Sequence, residues 1–383
     1  MRSPSPRSIV IDGRMIYRDQ CHGIARVTIQ QIRNMPADRN LEISLILAEG
    51  QTSRFDTSDL SRFANIHYTT SDVGKPHDLR DLWRLLRELD AEVMYSPYHA
   101  LAPLFVPCPL VVGIHDCILE SDRRLAGGRL RSRAYRVNTQ RALRQAAAVV
   151  VPSETTRSLL PAFYSKVPDT TVCANGVDQA FWSTTEEERA ATTERFGLPE
   201  KYILHVGARR PHKNQRVLLE ALTQMDPDTR LVLVGHRDPR VPDHLDQWAS
   251  DLGVSKQILC IDDVDDILLR GLYGCATVLA FPSTLEGFGL PPLEAMAAGL
   301  PVVASAIPVV AEVTRSAAML VSPFSAQQWA KTLGDVLNSQ ELQDDLRTKG
   351  LAVAASATWE SGARNLYQLL EDIAVGRSEQ EPR

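Results

Sequence analysis

Short apolar runs recur along this chain, and each ends in Gly, Pro, Ser or Asp. "SIVIDG" (Ser8–Gly13) is the first, followed by "EISLILAEG", "AEVMYSP", "PLVVGIHD" and "AAVVVPS". Runs rich in Val and Ile that do not alternate with polar residues read as strands buried on both faces, the signature of a parallel sheet. Longer segments with helical periodicity separate them, at Arg26–Met35, His77–Leu89 and Ser132–Ala146. Parallel strands need crossovers, and helical crossovers laid on both faces give a doubly wound α/β sheet.

The alternation stops and then restarts. Residues Asn175–Lys201, "NGVDQAFWSTTEEERAATTERFGLPEK", are polar, acidic and turn-rich, so an interdomain linker is expected near their start. A second series follows with "YILHVGA", "RLVLVG", "KQILCIDD", "ATVLAFPS" and "LPVVAS". At 383 residues the chain is too long for one ordinary core. The expected architecture is two Rossmann-like domains, 1–180 and 181–357, facing across a cleft. An apolar helix over 358–375 has no strand after it, and "AVGRSEQEPR" reads as a frayed tail. No tandem repeat relates the halves. Ligands of open α/β sheets bind beyond the carboxyl ends of strands, so site residues should follow the apolar runs.

Composition excludes several classes. A net charge of -5 gives no overall nucleic-acid footprint. No apolar run approaches the roughly 18 residues of a spanning helix, and the N-terminus lacks a signal-peptide h-region. The six cysteines (Cys21, Cys108, Cys117, Cys173, Cys260 and Cys275) have no metal-finger spacing and read as buried thiols of a reducing cytoplasm. His212, His236 and His244 are not at zinc-ligand spacing, so no metal is expected.

The stretch "FPSTLEGFGLPPLEAMAAGLPVVAS" (Phe281–Ser305) concentrates the chemistry. A strand ends near Phe281, and Leu290-Pro291-Pro292 opens a helix that Gly299 stops. Gly287 and Gly289 allow a ligand close to the backbone, and a helix mouth offers amides to phosphate or hydroxyl oxygens. Glu286 and Glu294 are acceptors suited to paired sugar hydroxyls. Elsewhere, Arg123–Arg144 holds eight arginines and no acid. That stretch reads either as an anionic-lipid or lipid-diphosphate contact or as a solvated helix face. "IDDVDDI" (Ile261–Ile267) contains a D-V-D that could suggest a metal.

Glu286 through Gly299 closely resembles the signature of the retaining family-4 glycosyltransferases of the GT-B fold, two glutamates with seven residues between. The resemblance extends over most of the chain and implies the following. Glu286 sits at the donor sugar, and Glu294 holds the nucleotide ribose. Amides of Gly287, Phe288, Gly289 and Leu290 contact sugar and phosphates. Lys213 and Asn214 match the family's K-N pair beside the diphosphate. Many members carry Arg where Ala208 or His212 stands here, which leaves Arg209 or Arg210 to supply that charge. Val264 contacts the base through its backbone. His115, at the end of "PLVVGIHDCI", faces the donor sugar across the cleft, and Asp116 follows on the acceptor side. "GIAR" brings the amides of Gly23 and Ile24 to the diphosphate or acceptor and sets Arg26 in the first turn of a helix on the acceptor side, and "ATWESGARNLYQLLE" resembles the closing helix that joins 358–375 to the first domain.

The implied activity is transfer of a hexose-like sugar from a GDP-, UDP- or dTDP-linked donor to an acceptor hydroxyl, with retention and without metal or other cofactor. The acceptor would be a sugar, a lipid-linked glycan or a small metabolite, as in bacterial polysaccharide, glycolipid or glycoside synthesis. The expected place is the cytoplasm, or the inner face of the membrane through 123–144. Competing readings are a non-catalytic subunit that binds sugar nucleotide and a GT-B-shaped sugar-nucleotide epimerase. An NAD-dependent dehydrogenase would need G-x-G-x-x-G after an early strand, and neither "VIDGRMIYRD" nor "YILHVGARRP" has it.

Overall fold

A computed structural model of the chain describes residues 6–16, 22–37, 40–50, 56–70, 76–122, 125, 128–238, 241–262 and 264–380. The chain forms two compact units, Met1–Asn175 with Trp359–Arg383, and Gly176–Thr358. The boundary falls inside the "NGVD" turn.

The first unit is built on strands β1 (Arg7–Asp12), β2 (Leu41–Ala48), β3 (Asn65–Thr69), β4 (Val93–Ser96), β5 (Leu110–Gly113), β6 (Ala146–Val151) and β7 (Thr170–Val172). All pair in parallel, in the order β3-β2-β1-β4-β5-β6-β7. Helices α1 (His22–Arg33), α2 (Pro76–Glu88), α3 (Ile118–Ser121), α4 (Arg129–Gln145) and α5 (Glu154–Phe163) connect or cover them. Because both faces are covered, two cores form. Ile9, Leu45 and Tyr95 belong to one, and Val10, Met94 and Val112 to the other.

The second unit repeats the plan. After α6 (Gln179–Trp182) and α7 (Glu186–Phe196) come β8 (Ile203–Val206), α8 (Gln215–Leu222), β9 (Leu231–Val234), α9 (Leu245–Asp251), β10 (Ile258–Ile261) and α10 (Asp266–Cys275). Then follow β11 (Val278–Phe281), α11 (Leu290–Ala297), β12 (Val302–Ser305), α12 (Pro308–Thr314), β13 (Ala318–Val321), α13 (Ala326–Asn338) and α14 (Gln340–Ser356). The sheet order is β10-β9-β8-β11-β12-β13, again all parallel. The residues of β11 are fully buried, as the unbroken run "VLAF" requires.

The polar stretch after Asn175 is ordered as α6 and α7, and α7 has a capping box. The Thr185 hydroxyl accepts the Glu188 N–H at 3.2 Å, and Glu188 accepts the Thr185 N–H at 3.0 Å. The tail is not frayed where it was expected to be. Helix α15 (Trp359–Gln380) carries straight through "AVGRSEQ", with Ala374 fully buried in the first unit's core. Ala363, Leu366 and Leu370 precede it at helical spacing, and the stripe they form extends one further turn.

Candidate functional site

In the second unit the sheet order reverses between β8 and β11, and the loops leaving these two strands carry the predicted residues. The β8 loop runs through a short 3-10 turn, Pro211–Lys213, to Asn214, which takes the left-handed conformation at φ 54°. Asn214 Nδ2 donates to the carbonyls of Pro282, at 3.1 Å, and Pro323, at 2.7 Å. The Thr284 N–H donates to the His212 carbonyl at 2.8 Å. These bonds clamp the β8 and β11 loops together and bring Lys213 Nζ to 2.6 Å from Glu286 Oε1. Asn214 therefore acts here as a clamp, with both amide protons engaged.

The ammonium also lies 5.5 Å over the Phe281 ring. The carboxyl of Glu286 is only 10% exposed. Burial alone would raise its pKa, but Lys213, and after it His212, hold it below the ordinary glutamate value. The pair is thus an ionised carboxylate and a cation at the carboxyl end of the sheet.

Gly289, at φ 105°, starts α11. Pro291 and Pro292 occupy the next turn and have no N–H, so the donors at this helix mouth come down to the loop amides and Leu290. This is narrower than a plain helix start would give. Glu294 is buried in α11 at 6% exposure, and its Oε2 accepts the Tyr273 hydroxyl at 3.0 Å. Tyr273 stands edge-on to Trp182 at 5.3 Å. Gly287 is buried and Phe288 packs against the core.

The arginines behave differently from a pair of free cations. Arg209 is 7% exposed and bonds Asp243 at 2.9 Å and Asp262 at 2.7 Å. Arg210 pairs with the buried Asp238 at 2.8 Å. Val264 lies beyond β10 and packs on the core, while Asp265 caps α10 through the Leu268 N–H at 2.8 Å. Asp263 of the D-V-D lies outside the described residues. Among the described residues no group of three His, Cys, Asp or Glu side chains could hold a metal ion.

Sequence reasoning missed Tyr273, Asp238, Asp243 and His205. His205 interrupts the apolar β8, which was a visible signal. It is buried, donates Nδ1–H to the Ala280 carbonyl at 3.0 Å and meets Gln215 Nε2 at 3.2 Å through Nε2. Burial pushes its pKa down to about 4.

In the first unit, His115 follows β5, half-buried, with Nε2 2.8 Å from the Pro97 carbonyl. A carbonyl only accepts, so Nε2 carries the proton and Nδ1 keeps the lone pair. Burial lowers its pKa. Asp116 accepts the Ile118 N–H at 3.0 Å and so shapes the turn into α3. Beside it, His99 is buried between the Gly113 carbonyl at 3.1 Å and the Tyr135 hydroxyl at 2.9 Å. The buried Glu120 accepts the Tyr164 hydroxyl, and burial raises its pKa. After β1, Arg14 and Asp12 form a two-bonded ion pair at 1% and 6% side-chain exposure. His99, Glu120 and Arg14 were not anticipated. Gly23 and Ile24 lie in the first turn of α1, with Gly23 exposed and nothing within 4 Å of a Cβ placed on it. Arg26 follows on the same helix, half-buried. Of the basic stretch, residues 123, 124, 126 and 127 lie outside the described residues.

A family model described as glycosyl transferases group 1 matches residues 186–352, and one described as a glycosyl transferase 4-like domain matches 22–176. The D-inositol 3-phosphate glycosyltransferase of Corynebacterium glutamicum is 28% identical over 260 residues, 64% of this chain and 62% of that protein. The O-antigen chain mannosyltransferase RfbU of Salmonella typhimurium is 35% identical over 138 residues, 36% of this chain and 38% of that protein. Both matches span less than two thirds of the relative's own length. The Anabaena protein HepE, solved with UDP-glucose, has a TM-score of 0.75 at 20% identity, covering 97% of this chain and 99% of that one.

Proposed function

Because this chain belongs to the family-4-like glycosyltransferases of GT-B fold, we propose that it moves a hexose-like sugar from a nucleoside-diphosphate donor to an acceptor hydroxyl with retention of configuration. The observation that carries this reading is the Lys213–Glu286 pair, clamped beside the glycine loop of a helix that buries Glu294. As the glycosidic bond breaks, negative charge grows on the diphosphate and positive charge on the anomeric carbon. Lys213 and the Phe288–Leu290 amides meet the first, with no metal needed, and Glu286 lies close enough to Lys213 to meet the second. Glu294 would accept the ribose hydroxyls. No carboxylate is assigned as a covalent nucleophile, so the departing phosphate serves as base in a front-face attack. Val264 would meet the base through its backbone.

The UDP-glucose in the HepE complex supports a nucleotide-sugar donor, and the names of the two relatives support glycosyl transfer. UDP, GDP and dTDP all fit a site read through backbone groups. The acceptor, a sugar or lipid-linked glycan in bacterial polysaccharide, glycolipid or glycoside synthesis, is assigned to the first unit, where Ile24, Arg26 and Asp116 are the candidate contacts, while His115 would face the donor sugar and Gly23 the diphosphate. A cytoplasmic setting suits such a donor.

A second reading, binding of sugar nucleotide without turnover, draws on one observation. Arg209, Arg210 and Lys213 are each paired with carboxylates, so a diphosphate would have to displace one of these pairs. Nucleoside-diphosphate release from UDP-, GDP- and dTDP-sugars by the pure protein separates the two. Release that persists in excess EDTA and falls at least about tenfold in Glu286→Gln supports transfer. No release from any donor, with nucleotide still bound, supports the non-catalytic reading.

A further inference from the structure

Helix α4 carries six arginines and no acid. Its buried residues, Ser132, Thr139, Ala142 and Leu143, lie on one face. At about 3.6 residues per turn, Leu130, Arg133, Val137 and Arg144 fall together on the opposite face. All four are exposed, and Leu130 and Val137 are apolar side chains 86% and 61% in water. Arg133 and Arg144 have no hydrogen-bond or ion-pair partner among the described residues, and neither do Arg129 and Arg131. A solvated helix face of an ordinary domain would interleave its arginines with acids, and this one does not.

A second apolar element is held beside it. Arg141 donates to the carbonyls of Ala102 at 2.9 Å and Pro103 at 3.3 Å, and Gln145 Nε2 donates to that of Leu104 at 2.6 Å. These bonds fix the loop that presents Phe105, 74% exposed, and Leu104, 39% exposed. The face thus joins unpaired guanidinium groups to exposed apolar side chains. That combination fits a surface with anionic headgroups outside and hydrocarbon beneath. No helix among the described residues is long and apolar enough to cross a membrane, so the contact would be peripheral.

We propose that this face of the first unit, built from α4 and the Leu104–Phe105 loop, docks on an anionic lipid surface. The inference does not depend on the donor-site residues Lys213, Glu286 and Glu294, which lie in the second unit. The test is co-sedimentation of the full chain with phosphatidylglycerol-containing vesicles and with phosphatidylcholine vesicles, at low and high salt. Binding is expected only to the anionic vesicles, weakening as salt shortens the range of the charge interaction. The double variant Arg133→Glu/Arg144→Glu should lose at least about tenfold in vesicle affinity, and Phe105→Ser should lose several-fold. Nucleotide titration of the same variants should be unchanged, which separates this proposal from the donor reading. Wild-type protein that stays in the supernatant at low salt would overturn the proposal, as would a charge-reversed variant that still pellets. If inorganic pyrophosphate displaces the protein and Phe105→Ser binds like wild type, the face is a soluble-anion site and the lipid assignment is wrong.

Discussion

Glu286 keeps its charge in a largely buried place because Lys213 sits 2.6 Å away. Removing the cation should therefore do two things. Lys213→Ala leaves a carboxylate without its partner, so the second unit should lose about 2 kcal/mol in a denaturant melt. The same variant should slow donor cleavage by at least about a hundredfold, since leaving-group charge goes unmet. Loss of stability with full activity would remove Lys213 from the proposed chemistry. Glu286, Glu294 and Lys213 stood out in the sequence through the family signature and its K-N pair, and His115 through its place at the end of an apolar run. Tyr273 and Asp238 were not, because each acts through a residue distant in sequence, Glu294 in one case and Arg210 in the other. Asn214 was assigned to the ligand, whereas its amide clamps two loops, a role that depends on carbonyls 68 and 109 residues away.

At the scale of single elements, α11 and α7 show what local sequence does and does not determine. Gly289 holds φ 105° with no atom closer than 3.8 Å to a Cβ placed there. The cost of Gly289→Ala is then backbone strain alone, about 1 kcal/mol, but the loop amides would be re-aimed. The expected result is a small drop in melting temperature with a much larger loss of nucleotide affinity, read by thermal melts and titration together. Thr185→Ala removes the α7 capping box and should cost about 1 kcal/mol, with nucleotide affinity untouched. Strands were readable because a parallel sheet demands unbroken apolar runs. Helix α7 was hidden by its polar composition, although "TEEE" after Thr184 held the cap signal. The reach of α15 was hidden because the segment after Val375, "GRSEQ", is polar and holds no apolar side chain to extend the stripe.

Across the whole molecule, two units of the same plan each bury a neutral histidine beneath their strand ends, His99 in the first and His205 in the second. Burial lowers both from 6.5 to about 4. Between those values the unfolded chain binds protons at these rings that the folded chain does not, so folding stability falls as pH drops from 6.5 toward 4. Each ring contributes on the order of 3 kcal/mol at neutral pH, all of it lost by the lower end of that window. Thermal melts across this range should show both units weakening, and a flat profile would mean that neither ring is held neutral. The two-sheet plan was legible because the apolar series restarts after "NGVD", and the glycosyltransferase assignment rests on residues that follow those strands. The measurement to make is calorimetric titration of UDP, GDP, dTDP and ADP into wild-type protein and Glu294→Ala. One nucleotide should bind wild type and lose at least about tenfold in affinity in the variant, as removal of a charged acceptor from ribose hydroxyls requires. Equal binding to both proteins would contradict the placement of the nucleotide at α11.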